Sequence, residues 1–438
     1  MKFKNLSIYL IFFSLLLNVN PLNAKPLHIK VTGGKNIGVP IAVANFAGNH
    51  EQVEQHIDIA ELVRNDLHNS GQFRALPKEK MLKHPGSVMA IQMPYWRNFE
   101  IEHLVIGQIE LKKTGLYDVS FQLINMYRAA HAPILNIRFS GKHPREFREI
   151  AHHISDRIFK QVIGIQSVFL TKIAYITIER LHDETIHTLT VADSDGYNDK
   201  PLITATYPLM SPAWSPDGKE IAFVSFYGNR SSIKTINVLS GICQNISDIP
   251  GINGAPSWSP DGKSLALVLS KDVAPKLYIL NLENKQIKKL THGGAIDTEP
   301  FWDPDGKSIV FTSNRGGKPQ IYRVILETGK IKRLTYVGNY NATPILTPDG
   351  KELIMLHQHE GNFNIAVQLL NTGQVFVLTQ AKLDESPSVA PNGMMIIYGT
   401  KEEGKNMIGT VSLDGRFKMR LPLHASNVKE PTWSPYLY

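Results

Sequence analysis

Short apolar runs alternate with polar turns along most of the chain, and one turn motif recurs at a nearly constant spacing. Its fullest copy is Trp214-Ser215-Pro216-Asp217-Gly218-Lys219. The motif recurs with prolines at 216, 260, 304, 348, 391 and 435, which are 44, 44, 44, 43 and 44 residues apart. A fixed period of about 40 to 50 residues is typical of propeller blades.

Each copy of the motif predicts a hairpin. Proline presets φ for the first central position of a type I turn, and glycine takes the left-handed position that lets a hairpin resume. An apolar run such as Ile221–Val224 follows each turn, and two further strands complete a unit, as in Gln320–Val324 and Ile331–Thr335. Four strands per repeat is the composition of a propeller blade.

Counting strands predicts a closed ring of six blades. Six inner strands precede the motif prolines, and second strands begin near 173, 221, 265, 309, 353 and 395. Ile173–Ile176 has no inner strand before it, and the strand ending at Trp433 has no second strand after it. We therefore expect the C-terminal strand to complete the first blade, which removes exposed edges and closes the β-propeller.

The first residues predict an exported protein. Met1-Lys2-Phe3-Lys4 is followed by the apolar stretch Leu6–Leu17 and by Ala24, which is the pattern of a secretory signal peptide over residues 1–24, cleaved after Ala24. The alternative is an uncleaved membrane anchor, but the apolar stretch is shorter than the roughly 20 residues that a membrane span needs. We expect no transmembrane segment in the mature chain.

Residues 25–165 predict a small N-terminal α/β (α+β) domain, followed by the propeller over residues 166–438. The pattern indicates strands over Lys25–Thr32 and Val39–Phe46, and a hairpin of Leu104–Leu111 with Leu116–Met126. It also indicates a helix that begins at Asn49, with Gln52 in a capping box, and a second helix over about Pro144–Val162. The order strand, helix, hairpin, helix suits a compact two-layer domain.

Composition and charge exclude several functions. Residues 25–165 carry 18 basic and 13 acidic side chains, and residues 166–438 carry 27 and 26, so the net charge of +8 does not mark a nucleic-acid groove. The single cysteine, Cys243, allows no internal disulfide and is interpreted as a small strand residue. Gly33-Gly34-Lys35 lacks the rest of a phosphate-binding loop, so no cofactor is expected.

No catalytic motif is present. The sequence has no Gly-x-Ser-x-Gly elbow. His50 and His56 miss metalloprotease spacing, and His182 and His187 lie in a polar turn between strands. His152-His153 is interpreted as the surface of the second helix. We therefore expect a protein without enzymatic activity.

One end of the propeller channel is the candidate site. The residues just before the inner-strand prolines should form a ring there, because all inner strands run in the same direction. These residues are Ser211, Ala255, Glu299, Thr343, Ser386 and Glu430, preceded by Met210, Gly254, Thr298, Ala342, Glu385 and Lys429. With Asn253, Asp297 and Asp384 the ring is polar and acidic. It is either an ordinary solvated rim or a docking site for a loop or peptide, with a possible cation near Glu299, Glu385 and Glu430.

The whole chain resembles the TolB family of periplasmic proteins from the Tol-Pal system. The resemblance rests on a set of motifs that occur in this order: Gly38-Val39-Pro40-Ile41-Ala42-Val43, Pro94-Tyr95-Trp96-Arg97, Thr171-Lys172-Ile173-Ala174-Tyr175, Asn253-Gly254-Ala255-Pro256, Thr298-Glu299-Pro300, Leu383-Asp384-Glu385-Ser386-Pro387-Ser388, Ala390-Pro391-Asn392-Gly393, Asp414-Gly415-Arg416 and Trp433-Ser434-Pro435-Tyr436-Leu437. The turn motif alone occurs in many propellers, whereas the full set is specific.

The resemblance implies the partners and the process. Proteins similar to TolB bind the peptidoglycan-associated lipoprotein Pal at the propeller mouth, and the inner-membrane protein TolA binds their mature N-terminus. With TolQ and TolR they act in outer-membrane invagination during cell division and in outer-membrane integrity. Other outer-membrane proteins and bacteriocin peptides are possible further partners.

The motifs transfer these roles to particular residues. The implied Pal contacts are Asn253, Gly254, Ala255, Thr298, Glu299, Asp384 and Glu385. The implied TolA epitope is Lys25, Pro26, Leu27, His28, Ile29, Lys30, Val31 and Thr32. The family often has a histidine where this chain has Ile252, which puts the polar contact at that position in doubt.

Two hypotheses follow from this assignment. The N-terminal arm could pack on its own domain or swing free, and Pal at a mouth near the domain junction could bias that equilibrium. The alternative function is a secreted propeller hydrolase that uses Glu299, Glu385 and Glu430, although nothing in the sequence sets the carboxylate separation that glycoside chemistry requires.

Overall fold

The computed structural model describes residues 29–30, 38–48, 57–128, 132–272, 274–425 and 427–437, with 29–30 described by backbone alone. The predicted signal peptide, most of the predicted arm from Lys25 to Thr32, the Gly33-Gly34-Lys35 turn and the predicted helix start at Asn49 lie outside these residues. Among the described residues, no helix is both long and apolar enough to cross a bilayer.

The N-terminal domain is built on a mixed sheet. Its strands, in spatial order, are Phe73–Ala75, Val39–Val43, His103–Leu111, Tyr117–Asn125 and Pro133–Lys142, and Ala47–Gly48 also pairs with the middle strand. The first three run parallel and the last three antiparallel. The predicted hairpin is confirmed, whereas the strands Phe73–Ala75 and Pro133–Lys142 were not predicted.

Three α-helices accompany this sheet: α1 (Ile59–Asn69), α2 (Met93–Arg97) and α3 (Phe147–Ile163), with 3₁₀ turns at Lys78–Lys80, Val88–Ala90 and Pro144–Glu146. The predicted helix start at Asn49 lies outside the described residues, and the helix that is described begins at Ile59, after the non-helical Ile57 and Asp58. Asp58 caps α1, since its carboxylate accepts a hydrogen bond from the Glu61 amide at 3.1 Å. The helix therefore begins where a carboxylate satisfies a free backbone donor.

The N-terminal sheet buries a core on each face. Alternation along Val39–Val43 sends Ile41 and Val43 into one core with α1 and α3, and Ala42 into the other core with Trp96 of α2. Gly164, with a φ of +88°, ends α3 in the left-handed conformation expected at a helix terminus. The propeller follows after a short connection.

The propeller has six blades of four antiparallel strands. In order from the first blade to the sixth, the inner strands are Val428–Trp433, Leu209–Trp214, Asn253–Trp258, Asp297–Trp302, Asn341–Leu346 and Asp384–Val389. The second strands are Lys172–Leu181, Glu220–Tyr227, Ser264–Leu269, Ser308–Ser313, Glu352–His359 and Met395–Glu402. The third strands are Glu184–Asp193, Arg230–Asn237, Lys276–Asn281, Gln320–Ile325, Asn362–Leu369 and Lys405–Ser412. The outer strands are Lys200–Ala205, Cys243–Ser247, Ile287–Lys289, Ile331–Arg333, Val375–Val377 and Lys418–Arg420.

The predicted ring closure is confirmed. Val428–Trp433 pairs antiparallel with Lys172–Leu181, so the C-terminal strand is the inner strand of the first blade. Six apolar clusters lie between neighbouring blades, and the cluster between the sixth and first blades includes Ile397, Ile173 and Trp433. The fold is therefore held by interfaces between blades rather than by one central core.

The repeated tryptophan links adjacent blades. The indole N–H of Trp258 donates to the Ala213 carbonyl at 3.0 Å, and that of Trp302 donates to the Ser257 carbonyl at 3.1 Å. A buried indole needs such a partner. The tryptophan of the motif thus packs between blades and orients its neighbour.

The N-terminal domain contacts the propeller at the end where the Pro-Asp-Gly turns lie. His68 of α1 stacks edge-on against Phe417 at 5.7 Å between ring centroids, and the Asn392 side chain donates to the Gln166 carbonyl at 3.4 Å. The inner strands begin at the opposite end of the channel. The expectation that the mouth lies near the domain junction is therefore wrong, because a six-residue strand separates the two ends by about 17 Å.

The junction also corrects the interpretation of His152 as a surface residue of a helix. His152 is 4% exposed and is covered by the first blade, whereas the His153 side chain remains 39% exposed. Residues Ile29–Lys30, the described part of the predicted arm, pair in parallel with Phe376–Val377 on the outer strand of the fifth blade. This part of the arm thus lies on the propeller and not on its own domain.

Candidate docking site at the propeller mouth

The mouth, defined as the channel end where the six inner strands begin, is lined by a ring of left-handed residues. Each residue directly before an inner-strand proline has a positive φ: Ser211 (51°), Ala255 (46°), Glu299 (53°), Thr343 (49°), Ser386 (50°) and Glu430 (50°). In each strand the register shifts there, so that two residues face one on the second strand, as between Met210 and Ala213. Such bulges bend a strand and re-aim its side chains.

Left-handed backbone is costly for these side chains, by roughly 1–3 kcal/mol at each position. The surrounding structure must therefore hold them in place. Glu299 shows how: its Oε2 accepts hydrogen bonds from the Thr312 hydroxyl at 2.6 Å and from the Thr343 amide of the next blade at 2.8 Å. One ring residue thus fixes the backbone of another.

Glu430 repeats this arrangement in the first blade. Its carboxylate accepts a hydrogen bond from the amide of Ser211 in the second blade. Burial raises the pKa of Glu430 above its usual 4.5 and the charge of Glu385 adds to the effect, while the Ser211 amide and Lys429 oppose it. The charge of Glu385 in the sixth blade therefore disfavours ionisation of Glu430 in the first.

A buried polar layer lies at the start of the inner strands. Asn253, Asp297 and Asn341 are fully buried and Asp384 is 1% exposed. Asn253 accepts a hydrogen bond from the Ser247 hydroxyl at 2.7 Å and donates to the Ile249 carbonyl at 2.6 Å, which ties a loop to the preceding blade. Asn253, Asp297 and Asn341 each bond to a side chain of the preceding blade and so secure blades to one another.

Asp297 is the most strongly coordinated member of that layer. Lys276 of the third blade contacts its carboxylate at 3.0 Å, Arg315 at 2.8 Å and the Ser313 hydroxyl at 2.6 Å. Burial alone would raise the pKa of Asp297, but these hydrogen bonds and the charge of Arg315 outweigh it, and the pKa lies below its usual value. Asp297 is therefore ionised and held in place.

Asp384 differs from its counterparts. Neither of its buried carboxylate oxygens has a hydrogen-bond partner among the described residues. Burial and the charge of Asp384 together raise the pKa of the nearby Tyr398. At the mouth end of the sixth blade, the buried carboxylate thus lacks the hydrogen bonds that its counterparts make in the third, fourth and fifth blades.

An apolar rim surrounds the polar ring. It consists of the exposed side chains of Met210, Ile252, Ile296 and Leu383, which are 39%, 48%, 47% and 40% exposed. Ile252, Ile296 and Leu383 each stand directly before an inner strand. Exposed apolar side chains grouped on one surface are a common mark of a protein interaction site.

The predicted site residues separate into two groups. Gly254, Ala255, Thr298, Glu299 and Glu385 are half-buried at the mouth, whereas Asn253 and Asp384 are buried beneath it. Sequence reasoning missed the apolar rim, although a signal existed, because Ile252, Ile296 and Leu383 occupy the same place in the third, fourth and sixth blades.

Among the described residues, Glu299, Glu385 and Glu430 are not close enough together to form a three-ligand metal site. Glu299 belongs to the fourth blade and Glu430 to the first, so they face each other across the channel. Both carboxylates are already used in hydrogen bonds between blades. Within the described ranges, the one group of three close metal-ligating side chains is Asp66, His152 and Asp195, which lies at the domain junction.

Comparison with known proteins places this architecture in a family. The TolB beta propeller domain matches residues 159–437, and the TolB amino-terminal domain matches residues 27–132. The chain is 54% identical to the Tol-Pal system protein TolB of Coxiella burnetii over 419 residues, covering 95% of each chain. It is 52% identical to that of Legionella pneumophila over 411 residues, covering 94% of this chain and 95% of the relative.

A solved structure agrees with the sequence comparisons. The crystal structure of TolB from Acinetobacter baumannii superposes with a TM-score of 0.81 at 37% identity, covering 92% of this chain and 98% of that one. Both domains therefore have counterparts in relatives of nearly full length. The chain belongs to the TolB family of Tol-Pal system proteins.

Proposed function

We propose that the protein is a periplasmic, non-enzymatic docking component of the Tol-Pal system, which binds the lipoprotein Pal at the propeller mouth and TolA through its mature N-terminus. In this role it supports outer-membrane invagination during cell division and outer-membrane integrity, together with TolQ and TolR. Membership of the TolB family supports participation in the Tol-Pal system, and the surface at the mouth supports docking as the mode of action.

The observation that carries the proposal is the composite surface at the mouth. Half-buried polar groups at Gly254, Thr298 and Glu385 lie inside the apolar rim. A rigid concave polar centre with an exposed aliphatic border fits a folded partner that inserts a loop, since buried contacts at the centre of an interface contribute most of the affinity. Asn253, which is fully buried and hydrogen-bonded, would act by holding this surface rather than by touching the partner.

The decisive measurement is calorimetric titration of residues 25–438 with the soluble Pal domain of the same organism, with and without calcium. We expect saturable one-to-one binding, and we expect Thr298→Ile to weaken it by about tenfold or more, as removal of a central contact does. Thr328→Ile, at an exposed outer turn, is the matched control and should bind like the wild type.

Absence of binding by a protein with an unchanged melting temperature would refute the Pal assignment. Equal weakening by Thr298→Ile and Thr328→Ile would move the docking site away from the mouth. If only calcium-loaded protein bound, a cation near Glu385 and Glu430 would become part of the site.

The second arm of the proposal concerns TolA. Removing Lys25–Val31 should abolish TolA binding while leaving Pal binding intact, because the arm and the mouth lie on different parts of the propeller. Unchanged TolA affinity after this deletion would show that the epitope lies elsewhere. The pairing of Ile29–Lys30 with Phe376–Val377 supports an arm that must detach to be captured.

The hydrolase alternative has no support in the site. Glu299 and Glu430 accept backbone hydrogen bonds from neighbouring blades, which is a structural role. Replacement of Glu299 by Gln separates the two functions: a docking protein should lose partner affinity along with a small part of its stability, whereas an enzyme would lose turnover.

A further inference from the structure

A buried ionic cluster joins the two domains far from the mouth. His152 of α3 lies between Asp66 of α1 and Asp195, which follows the third strand of the first blade. The Nδ1 atom of His152 is 2.8 Å from the Asp66 Oδ2, and its Nε2 atom is 3.7 Å from the Asp195 Oδ2. His152 and Asp66 are 4% and 5% exposed. One imidazole ring thus faces a carboxylate from each domain.

The number of ring protons decides whether both carboxylates are bound. A neutral imidazole has a single N–H, whereas the imidazolium has two. With Nδ1 engaged by Asp66, the buried Nε2 has no hydrogen-bond partner among the described residues. We propose that His152 is a proton-dependent latch between the domains, which holds Asp66 and Asp195 together when doubly protonated and releases the propeller side when neutral.

The neighbouring charges balance only in the protonated state. Arg148 on the same helix contacts Asp195, lies 3.9 Å from Asp193 and stacks on the Tyr197 ring at 4.1 Å. Lys172 pairs with Asp193 at 2.8 Å. Burial raises the pKa of Asp66, and the hydrogen bond and charge of His152 oppose that effect. When Asp66, Asp193 and Asp195 are all ionised, these three carboxylates meet two fixed cations, and the imidazolium supplies the third. An uncompensated buried charge is strongly destabilising.

These groups also set the direction of the pH dependence. Burial by itself lowers the pKa of His152, but the hydrogen bond and charge of Asp66, together with the charge of Asp195, outweigh burial and the opposing Arg148. The pKa therefore lies above its usual 6.5. The folded protein binds this proton more tightly than the unfolded chain does. The stabilisation that protonated His152 contributes is therefore complete below pH 6.5 and disappears as the pH rises through the raised pKa.

A divalent metal is the competing occupant of the cluster. One ligand atom from each of Asp66, His152 and Asp195 lies within 4.8 Å of the others. However, the Asp195 oxygen that faces His152 also contacts the Arg148 guanidinium, and a metal ion there would be placed beside a fixed cation. The arrangement therefore fits a proton better than a metal.

A double-mutant cycle with His152→Gln and Asp195→Asn in the full mature chain tests the latch. We expect the coupling in the folding equilibrium constant to be at least about threefold at pH 6 and to vanish at pH 9. His153→Gln, at the next residue on α3, is the matched control. It should show no coupling to Asp195→Asn and should leave the pH dependence of stability unchanged.

The ring proton can be observed directly by ¹⁵N NMR of labelled histidine. His152 should be doubly protonated at pH 6.5 in the wild type and should titrate at lower pH in Asp195→Asn, a readout that survives even if His152→Gln does not fold. A neutral ring at pH 6.5, or a coupling that is the same at both pH values, would overturn the proposal. So would zinc raising the melting temperature of the wild type but not of His152→Gln, since the cluster would then be a metal site.

Discussion

At the scale of single residues, two acidic side chains of the mouth serve the fold before they serve any partner. Glu299 and Glu430 sit in strained backbone themselves, and each accepts a hydrogen bond from the strained residue of the following blade. The sequence predicted that the ring is acidic, but it did not predict that these carboxylates accept backbone hydrogen bonds from the next blade. Mutations at these positions must therefore be read for stability as well as for binding.

Glu299→Ala should lower the free energy of unfolding by about 1–3 kcal/mol, because the Thr343 amide and the Thr312 hydroxyl lose their shared acceptor. Glu299→Gln keeps an acceptor oxygen and should lose less. Denaturant titration of both variants measures the difference. Glu385→Ala, which has no described hydrogen bond to lose, is the control, and an equal loss there would contradict the assigned role.

Glu430→Gln should change how stability depends on pH. The pKa of Glu430 in the folded protein is raised, so its carboxyl binds a proton more tightly than in the unfolded chain, and stability falls as the pH rises from 4.5 through the raised pKa. The neutral amide removes that loss, so the variant should be more stable than the wild type at pH 7. Unfolding measured between pH 4 and 8 tests this, with Glu327→Gln at an exposed turn as the control. A lower stability at pH 7 would show that the ionised carboxylate is favourable.

At the scale of strands and helices, the bulge before each proline is the feature that shapes the mouth. It recurs in all six inner strands with φ between 46° and 53°. Because the six residues share a backbone conformation and not a side-chain type, the strain is imposed by the blade geometry.

Replacing an alanine by glycine at two positions of the inner strands measures the free-energy cost of this strain. Ala255→Gly should be neutral or stabilising, since glycine adopts a positive φ without cost, whereas Ala213→Gly, in the extended part of an inner strand, should lose about 0.5–1 kcal/mol. Thermal and denaturant midpoints give the comparison. Equal losses at the two positions would mean that the left-handed residue is not strained.

The blades could be predicted because their turns have a strong local cause. Proline, aspartate and glycine fix each hairpin, and Gly218, Gly262 and Gly306 have φ values of 68°, 70° and 70° as that chemistry requires. The ring of bulges gave no such signal, because its residues are not glycines. The start of α1 was missed for another reason: Asp58 with Glu61 competes with the similar pattern of Asn49 with Gln52, and only tertiary structure selects between them.

The face of α3 toward the propeller could not be predicted either. Apolar periodicity reports the face of a helix that enters its own domain core, here through Phe147, Ile150 and Ile154. His152 lies between α1 of its own domain and the first blade, and the sequence contains no comparable signal for how two domains dock. The apolar rim could be predicted only in part. Its positions repeat in the sequence, but the exposure of its side chains depends on where each strand begins.

At the scale of the whole molecule, the mouth and the domain junction lie at opposite ends of the channel. Any influence of a partner at the mouth on the N-terminal domain must pass along the inner strands or between blades. The first blade is the natural route, because its inner strand carries Glu430 at the mouth while its third strand leads to Asp195 at the junction.

Removing residues 428–438 should destabilise the entire propeller and not only one blade. The deletion exposes the edge of Lys172–Leu181 and opens the apolar cluster between the sixth and first blades. We expect a lower melting temperature of the propeller and association of the truncated chains. A peptide of residues 427–438 added in trans should restore part of the melting temperature, and the same peptide with Trp433→Ala should restore less. A truncated chain that melts like the wild type would show that the ring does not need this strand.

The closing strand also fixes the order in which the molecule can mature. The inner place of the first blade is filled by Val428–Trp433, so the ring stays open until this strand has been synthesised and has paired with Lys172–Leu181. Residues Lys172 and Ser434, joined by a 2.9 Å hydrogen bond, are 262 positions apart, and contacts of such long sequence separation form slowly. A chain that stalls or is cut a few residues early therefore remains an open ring with a bare edge, which is the form that proteases and chaperones recognise.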